Sequence, residues 1–393
     1  MTQSFRIFLQ VILLWLAGLG AATQFAKIAV AFDAVGALYP GYGDAIGWLL
    51  SIISLMGAVL GAMSGAITAQ FGPVRLLVFG LLLGGVVSVF QSTIPGFHVM
   101  LGSRIIEGVS HLAIVVAAPT LIAQITRGAA RNAAMVLWSS FFGVAFALNA
   151  WFGLPLIQRF GLADFFMGHG FLMALIAGLV ALFPPKVPPI ATERHGWGLG
   201  SILQTHLETY RSPRMAAPAI GWFFYTLTFV SLLAILPGRM PEDQSVLVAS
   251  LMPLAGIVLS WIAVPVLLTF LTAVTVVNLG FAAGMAALAL LFFGAPLPIV
   301  GIALFAVLGL VQGGSFAAVP QLNGSARDQA LSYGAMAQMG NAGNLLGTPV
   351  LLAILWRAGE GSMFVAVLVF YAAAIAAHLF LSLRRRSSPD DPG

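Results

Sequence analysis

The sequence predicts an all-α integral membrane protein whose twelve transmembrane helices form two six-helix bundles. Two observations support this prediction. Only 7% of the 393 residues are charged and 60% are hydrophobic, whereas soluble globular chains carry about 25% charged residues. The chain also contains about twelve apolar runs, each near the ~20 residues that a helix needs to cross the hydrocarbon core of a bilayer. These runs are longer than the alternating segments of a β-barrel.

Helices satisfy their own backbone hydrogen bonds, as a hydrocarbon environment requires. The first apolar run is too long for the apolar region of a signal peptide, so we expect it to be retained as the first helix. The predicted spans are 8–32, 45–69, 75–94, 97–125, 133–158, 163–184, 214–238, 244–269, 272–294, 297–321, 329–356 and 361–383.

The distribution of basic residues predicts the orientation, because Lys and Arg accumulate in cytoplasmic loops. With the N-terminus inside, twelve basic residues fall on the cytoplasmic side and three on the other. We therefore expect both termini to be cytoplasmic, in the inner (plasma) membrane of a bacterium. The cytoplasmic set is Arg6, Arg75, Arg127, Arg131, Lys186, Arg194, Arg211, Arg214, Arg327 and Arg384 to Arg386, and the opposite set is Arg159, Arg239 and Arg357.

A polar stretch near the middle predicts the domain boundaries. We expect an N-terminal bundle at 1–184, a cytoplasmic linker at 185–213 and a C-terminal bundle at 214–393. Apolar residues recur at helical spacing in the linker, which is typical of an amphipathic interfacial helix: Leu199, Ile202, Leu203, Leu207 and Tyr210. The halves also look related, since a Gly and a Pro stand eleven residues apart in both 108–119 and 309–320.

Two motifs make the chain resemble the major facilitator superfamily. The stretch 65–75 keeps Gly65, Gly72 and Arg75 of the family's loop between spans 2 and 3, but it has Ala69 and Gln70 where the family has an acid and a base. The span 4 motif of that family, Arg-x-x-polar-Gly, reads Arg104-Ile-Ile-Glu107-Gly108 here. The resemblance implies alternating access, with a substrate site near the midplane between the repeats.

Charged residues inside a membrane span are functional candidates, because an unpaired charge there is costly. Arg104, Glu107 and His111 follow one another at helical i+3 and i+4 spacing, so they share a face of span 4. Glu107 is the candidate proton site, because burial raises and a nearby arginine lowers the pKa of a carboxyl group. His111 could share its proton. A purely structural Arg–Glu pair is the alternative.

Span 1 carries Gln24 and Lys27 on one stripe. Lys27 either faces the cavity or extends to the interface, as a lysine near a helix end can. In the cavity, Lys27 and Arg104 would outnumber Glu107 and favour an anionic solute. The other candidates for solute binding lie in the second half, and each could instead bridge helices or face lipid: Gln312, Gln338, Asn341, Tyr225 and Trp222.

The sequence thus predicts a secondary transporter for a small organic solute, with proton-coupled uptake and no cofactor or metal. We expect a monomer that does not bind nucleic acid. A proton-driven exporter is an alternative, although the family's antiporter motif in span 5 is poorly kept. The fourteen Met residues allow a copper transporter. A membrane enzyme is disfavoured, because no compact set of acids, bases or metal ligands lies at one membrane face. A sensor is disfavoured, because we expect it to carry a cytoplasmic output domain and only seven residues follow Arg386.

Overall fold

The structure is a computed structural model that describes residues 3–63, 68, 71–185, 187, 206–324 and 326–386. Within these ranges twelve helical segments correspond to the twelve predicted spans, so the predicted helical membrane fold is confirmed. They are α1 Gln3–Ala29, α2 Gly43–Leu60, α3 Pro73–Gln91, α4 Phe97–Ile125, α5 Phe141–Phe160, α6 Leu162–Leu182, α7 Ala216–Ile235, α8 Glu242–Leu267, α9 Ala273–Phe293, α10 Leu297–Leu322, α11 326–358 and α12 360–386.

Local sequence sets several of these boundaries. Pro73 stands in the first turn of α3, where its missing N–H leaves no hydrogen bond unmade. Thr272 precedes α9, and its hydroxyl oxygen accepts a hydrogen bond from the Thr275 amide at 3.3 Å. Gly359 separates α11 from α12 with a φ of 83°, a left-handed conformation that disfavours any residue with a Cβ.

The chain divides into two compact units. Unit 1 comprises Met1–Gly57 and Met63–His195, and unit 2 comprises Ala58–Ala62 and Gly196–Gly393. The helical turn 206–211 is the described helical part of the predicted linker, while Leu199, Ile202 and Leu203 lie outside the described residues.

Unit 1 is packed around α1, α3, α4 and α6. One apolar cluster joins Leu14, Leu81, Ile114 and Ile176 from these four helices, and each of them is buried. Lipid is as apolar as these side chains, so close packing rather than exclusion from water holds such helices together. The polar side chains of the ion cluster, described in the next section, lie on the same four helices.

In unit 2, α7 packs closely along α11. A Cβ on Gly347 would collide with the Leu227 carbonyl oxygen, and Gly343 lies equally close to the α7 backbone. Small residues four apart let helix backbones approach in this way. Hydroxyl contacts extend the packing, because Thr348 Oγ1 donates to Ser231 Oγ at 3.2 Å.

Helix α5 contains a π-helical turn at Asn149–Gly153. The turn lies just before Pro155, which has no N–H to donate within the helix. Asn149 Nδ2 donates to Thr23 Oγ1 on α1 at 3.1 Å and to the Ala145 carbonyl at 2.7 Å. The irregular turn therefore coincides with a polar contact between α5 and α1.

Candidate functional site: a buried ion cluster in unit 1

Lys27 lies in the last turn of α1 and its side chain is 0% exposed. Its Nζ donates to Glu107 Oε1 at 2.6 Å, and it makes two further hydrogen bonds to side chains of α3. One goes to Gln91 Oε1 at 2.6 Å and the other to Ser88 Oγ at 2.9 Å. All three ammonium hydrogens thus have acceptors inside unit 1, so the alternative that Lys27 extends to the interface is wrong.

Glu107 is shared by two cations. Lys27 binds one carboxylate oxygen, and Arg104 Nη1 donates to the other, Oε2, from one turn earlier on α4. Arg104 Nε donates to the Leu49 carbonyl of α2 at 2.8 Å. Arg104 Nη2 has no hydrogen-bond partner among the described residues. The three fully buried side chains carry a formal charge of +1, and the two N–H donors of Arg104 Nη2 have no acceptor among the described residues.

Gln91 holds this cluster together and was missed by sequence reasoning. Its Oε1 accepts from Lys27, while its Nε2 donates to Glu107 Oε2 at 2.8 Å and to Ser103 Oγ at 3.0 Å. The charges on either side fix the orientation of the amide, because an ammonium needs an acceptor and a carboxylate needs a donor. A pair of polar residues, Ser88 and Gln91, three apart near the end of an apolar span was the available signal.

Ser88 connects the cluster to a second histidine, which sequence reasoning also missed as a cluster residue. Ser88 Oγ lies 2.9 Å from His169 Nδ1 on α6, and His169 Nε2 lies 3.1 Å from the Gly20 carbonyl oxygen. A carbonyl can only accept, so Nε2 carries a hydrogen. The single Ser88 hydrogen has two acceptors within reach, His169 Nδ1 and the Phe166 carbonyl oxygen, to which Ser88 Oγ donates at 2.8 Å. His169 is therefore linked to Lys27 through one hydroxyl group, and both of its ring nitrogens are engaged.

His111 and Gln24 lie beside the cluster rather than in it. His111 Nδ1 lies 3.1 Å from the Ala21 carbonyl oxygen, and its ring meets Phe25 edge to face at 4.9 Å. Gln24 Nε2 donates to Ser110 Oγ of α4 at 2.8 Å, while its Oε1 has no partner among the described residues. Neither side chain is hydrogen-bonded to Glu107, and the predicted sharing of a proton with His111 stays a prediction.

The two described glycines of the motifs occupy positions where a larger residue would not fit or would be strained. Gly108 follows Glu107 where α4 meets α2, and a Cβ there would collide with the Ile53 carbonyl oxygen. Gly72 has a φ of 79° just before α3. Arg75 is exposed in the first turn of α3, two residues after Pro73. Gly65 lies outside the described residues. The Gly108 contact holds α2 against the helix that carries Arg104 and Glu107.

The candidates of unit 2 form an uncharged aromatic group. Trp222 stacks on Tyr225 at 4.8 Å between ring centroids, and Tyr225 stacks on Phe229 at 5.0 Å. Tyr225 Oη is 3.4 Å from Gln312 Oε1. The ring of Phe316 meets Trp222 edge to face at 5.0 Å. The structure therefore brings Trp222, Tyr225 and Gln312 together, and their predicted role in solute binding stays a prediction.

Gln338 and Asn341 of α11 have different surroundings. Gln338 Oε1 accepts from Tyr210 Oη at 2.9 Å, and its Nε2 donates to the Ala58 carbonyl, also in unit 2, at 3.1 Å. Burial raises the pKa of Tyr210 to about 12, so its phenol stays a donor at neutral pH. Asn341 Nδ2 donates to the Ala337 carbonyl of its own helix at 2.8 Å. Gln338 thus binds the end of the linker.

Comparison with known proteins establishes the class of this protein. The Major Facilitator Superfamily profile matches residues 11–348, which is most of the chain, so the chain belongs to that superfamily. It is an integral membrane transporter and not an enzyme. The resemblance drawn from the span 4 motif is thereby confirmed.

Two individual proteins are similar to this chain. The multidrug efflux pump LfrA of Mycolicibacterium smegmatis (strain ATCC 700084 / mc(2)155) is 30% identical over 144 residues, which cover 36% of this chain and 28% of LfrA. The match therefore spans less than a third of that relative. The crystal structure of a bacterial homolog of the human lysosomal transporter Spinster, inward-facing and unoccupied, superposes with a TM-score of 0.69 at 16% identity. The superposition covers 98% of this chain and 99% of the chain of that homolog. At this sequence identity the likeness shows the fold alone.

Proposed function

We propose that this protein is a proton-coupled secondary transporter of a small anionic organic solute, taken up by alternating access. The observation that carries the proposal is the buried cluster of two cations on one carboxylate. A structural ion pair needs one cation, and burying a second one adds a desolvation cost of several kcal/mol. The excess positive charge is accounted for if a negatively charged solute binds there during transport.

The coupling follows from an exchange of partners at Glu107. Lys27 and Arg104 keep this carboxylate ionised, because each binds one of its oxygens. A solute carboxylate or phosphate that takes over these cations leaves Glu107 buried without a positive partner. An unpaired buried carboxylate favours its protonated form. Adding one anion and one proton keeps the formal charge of the cluster at +1, so the solute and the proton move together.

Arg104 Nη2 is the first contact that we assign to the solute. This amino group is fully buried and has no acceptor among the residues that the structure describes, and it belongs to a guanidinium group that is already fixed by Leu49 and Glu107. A guanidinium fork binds carboxylate and phosphate oxygens in pairs. Gln24 Oε1, also unpaired, is a second-tier candidate for a solute donor.

Proteoliposomes test this function. Thermal unfolding with organic acids, nucleosides, peptides, drugs and Cu(I) first selects a ligand, and an imposed inward proton gradient should then drive its accumulation. Glu107→Gln should abolish gradient-driven accumulation while exchange of preloaded solute persists, which also shows that the variant is folded. Asp164→Asn, an exposed acid at the start of α6, is the matched control. Gradient-driven accumulation by Glu107→Gln would refute the assignment of the proton to this residue.

Proton-driven export is the second candidate function. It is favoured by the similarity of part of the chain to a protein named as a multidrug efflux pump. The same cluster would then release its proton inward as the solute leaves. Vesicles under an inward and under an outward proton gradient separate the two functions, because a proton symporter accumulates solute with the inward gradient and a proton antiporter accumulates it with the outward gradient.

We also propose that both termini are cytoplasmic, as the distribution of Lys and Arg supports. The chain contains no cysteine, so a single introduced cysteine reports its own side of the membrane. Arg386→Cys at the end of α12 should resist a membrane-impermeant maleimide on intact cells. Asp243→Cys at the start of α8 should react. The opposite pattern would reverse the proposed orientation.

A further inference from the structure

Two arginines from distant parts of the chain meet at one end of unit 2. Arg385, near the end of α12, donates from Nη1 to the Pro213 carbonyl at 2.9 Å and from Nη2 to Ser382 Oγ at 2.6 Å. Pro213 directly precedes Arg214, and the two guanidinium groups interact electrostatically. Like charges at close range repel. The fold nevertheless fixes Arg385 beside Pro213, the residue before Arg214, with one of its two hydrogen bonds.

Other charges at this end increase the positive field. Arg384 and Arg386 flank Arg385 and are exposed, and Arg211 is exposed just before Pro213. Glu208, one turn before Arg211, is the acidic residue of the adjoining described segment 206–215. Five arginines and one glutamate leave a formal charge of +4. An anion bound here would offset the repulsion between Arg214 and Arg385.

The surface next to these arginines is apolar. In the last turns of α12, Leu379 is 54% exposed, Phe380 59% and Leu383 64%. The guanidinium of Arg384 lies 5.8 Å from the centre of the Phe380 ring. A ligand that fits both parts must combine a negative headgroup with hydrocarbon chains. A free phosphate ion would contact the arginines but not the apolar side chains.

We propose that Arg214 and Arg385 form a binding site for the phosphate group of an anionic phospholipid, whose acyl chains lie along Leu379, Phe380 and Leu383. Arg385 is positioned in advance by Pro213 and Ser382, so binding costs little side-chain entropy. The site lies within unit 2 and involves none of the residues of the ion cluster. The proposal is independent of the solute and of proton coupling.

Thermal unfolding of the full-length protein in detergent tests this site with three additives: dioleoyl phosphatidylglycerol, dioleoyl phosphatidylcholine and glycerol 3-phosphate. Phosphatidylglycerol should raise the unfolding temperature at lower concentration than phosphatidylcholine does, and glycerol phosphate should have no effect. Each arginine near an anionic headgroup accounts for roughly a five-fold change in affinity. Arg214→Gln should therefore raise the half-saturating phosphatidylglycerol concentration about five-fold, and Arg214→Gln with Arg385→Gln about 25-fold.

Two control variants make the test specific. Arg159→Gln removes an exposed arginine that also lies over a phenylalanine ring, Phe160, at 5.1 Å, and it should leave the response unchanged. Arg214→Lys with Arg385→Lys keeps the charges and should retain the preference for phosphatidylglycerol. Arg214→Gln alone keeps both Arg385 hydrogen bonds, so it serves if the double Gln variant does not fold. The proposal is overturned if both lipids act equally on the wild type, if glycerol phosphate replaces the lipid, or if Arg159→Gln weakens the response as much as Arg214→Gln.

Discussion

The balance of charge at Glu107 predicts how the ion cluster responds to mutation. Glu107→Gln leaves Lys27 and Arg104 buried together with no carboxylate, and the formal charge of the cluster rises from +1 to +2. Lys27→Met lowers it from +1 to 0, and Glu107 keeps Arg104 and Gln91 as partners. The double variant returns to +1 with Arg104 alone. The second substitution should therefore repair part of the damage done by the first.

The structure allows the magnitudes to be estimated. Removing one partner of a buried ion pair typically costs 3–5 kcal/mol, and we expect about this loss for Glu107→Gln. Lys27→Met leaves Gln91 Oε1 without its donor, which costs about 1–3 kcal/mol beyond the lost ion pair. Residues in direct contact show interaction energies of roughly 0.5–3 kcal/mol. We expect the upper half of that range, because both side chains are fully buried.

A double-mutant cycle measures this interaction. The free energy of unfolding would be determined in mixed detergent micelles, by titration with a denaturing detergent, for the wild type, Lys27→Met, Glu107→Gln and the double variant. A parallel cycle pairs Lys27→Met with Asp164→Asn, an exposed acid that should be additive within about 0.5 kcal/mol. The reasoning is refuted if the Lys27–Glu107 cycle is equally additive, since the two charges would then not stabilise each other.

Three further predictions follow from other contacts. His169→Leu combined with Lys27→Met should be non-additive in unfolding free energy by about 0.5–3 kcal/mol, because Ser88 links the two residues. The effects of His111→Leu and Lys27→Met on the unfolding free energy should be additive. If His111 is coupled to Lys27 as strongly as His169 is, the proposed link through Ser88 is contradicted. Gly108→Ala should destabilise the protein by roughly 1–3 kcal/mol in the same unfolding assay, because the added Cβ clashes with Ile53. Gly102→Ala is the control: it lies on the same helix, its Cβ would enter open space, and it should not destabilise the protein. The raised pKa of Tyr210, about 12, means that its contribution to stability is complete below pH 10 and is lost between about pH 10 and 12. Thermal unfolding across that range should show a smaller alkaline loss for Tyr210→Phe, and an equal loss would contradict this assignment.

The sequence alone was sufficient to predict the helical membrane fold. Helices in lipid must be long, apolar and internally hydrogen-bonded, so the spans could be read from composition with little ambiguity. The predicted span 97–125 coincides with α4, Phe97–Ile125. The predicted break near 357–360 corresponds to Gly359, whose φ of 83° ends α11. The start of α5 differs from the predicted one, 141 against 133, because a separate helix, Gly128–Ser139, precedes it.

The residues of the site were only partly predictable. A charge inside a span is visible in the sequence because it is rare there, and Lys27, Arg104 and Glu107 were all identified in that way. The pairing of Lys27 with Glu107 could not be predicted, because the two residues are 80 positions apart in the sequence. Gln91, Ser88 and His169 carry no charge that distinguishes them from helix-bridging polar residues.

The sequence by itself determined that this chain spans a membrane, has a superfamily motif in its fourth helix and places three charges well inside its spans, at Lys27, Arg104 and Glu107. The tertiary structure decided which atoms those charges meet. Periodicity along one helix specifies neighbours on that helix, but the rotation of α1 and α3 against α4 depends on the packing of side chains from all of them. That packing brings a second cation and an amide onto one carboxylate, and it separates His111 from His169 although both lie against α1.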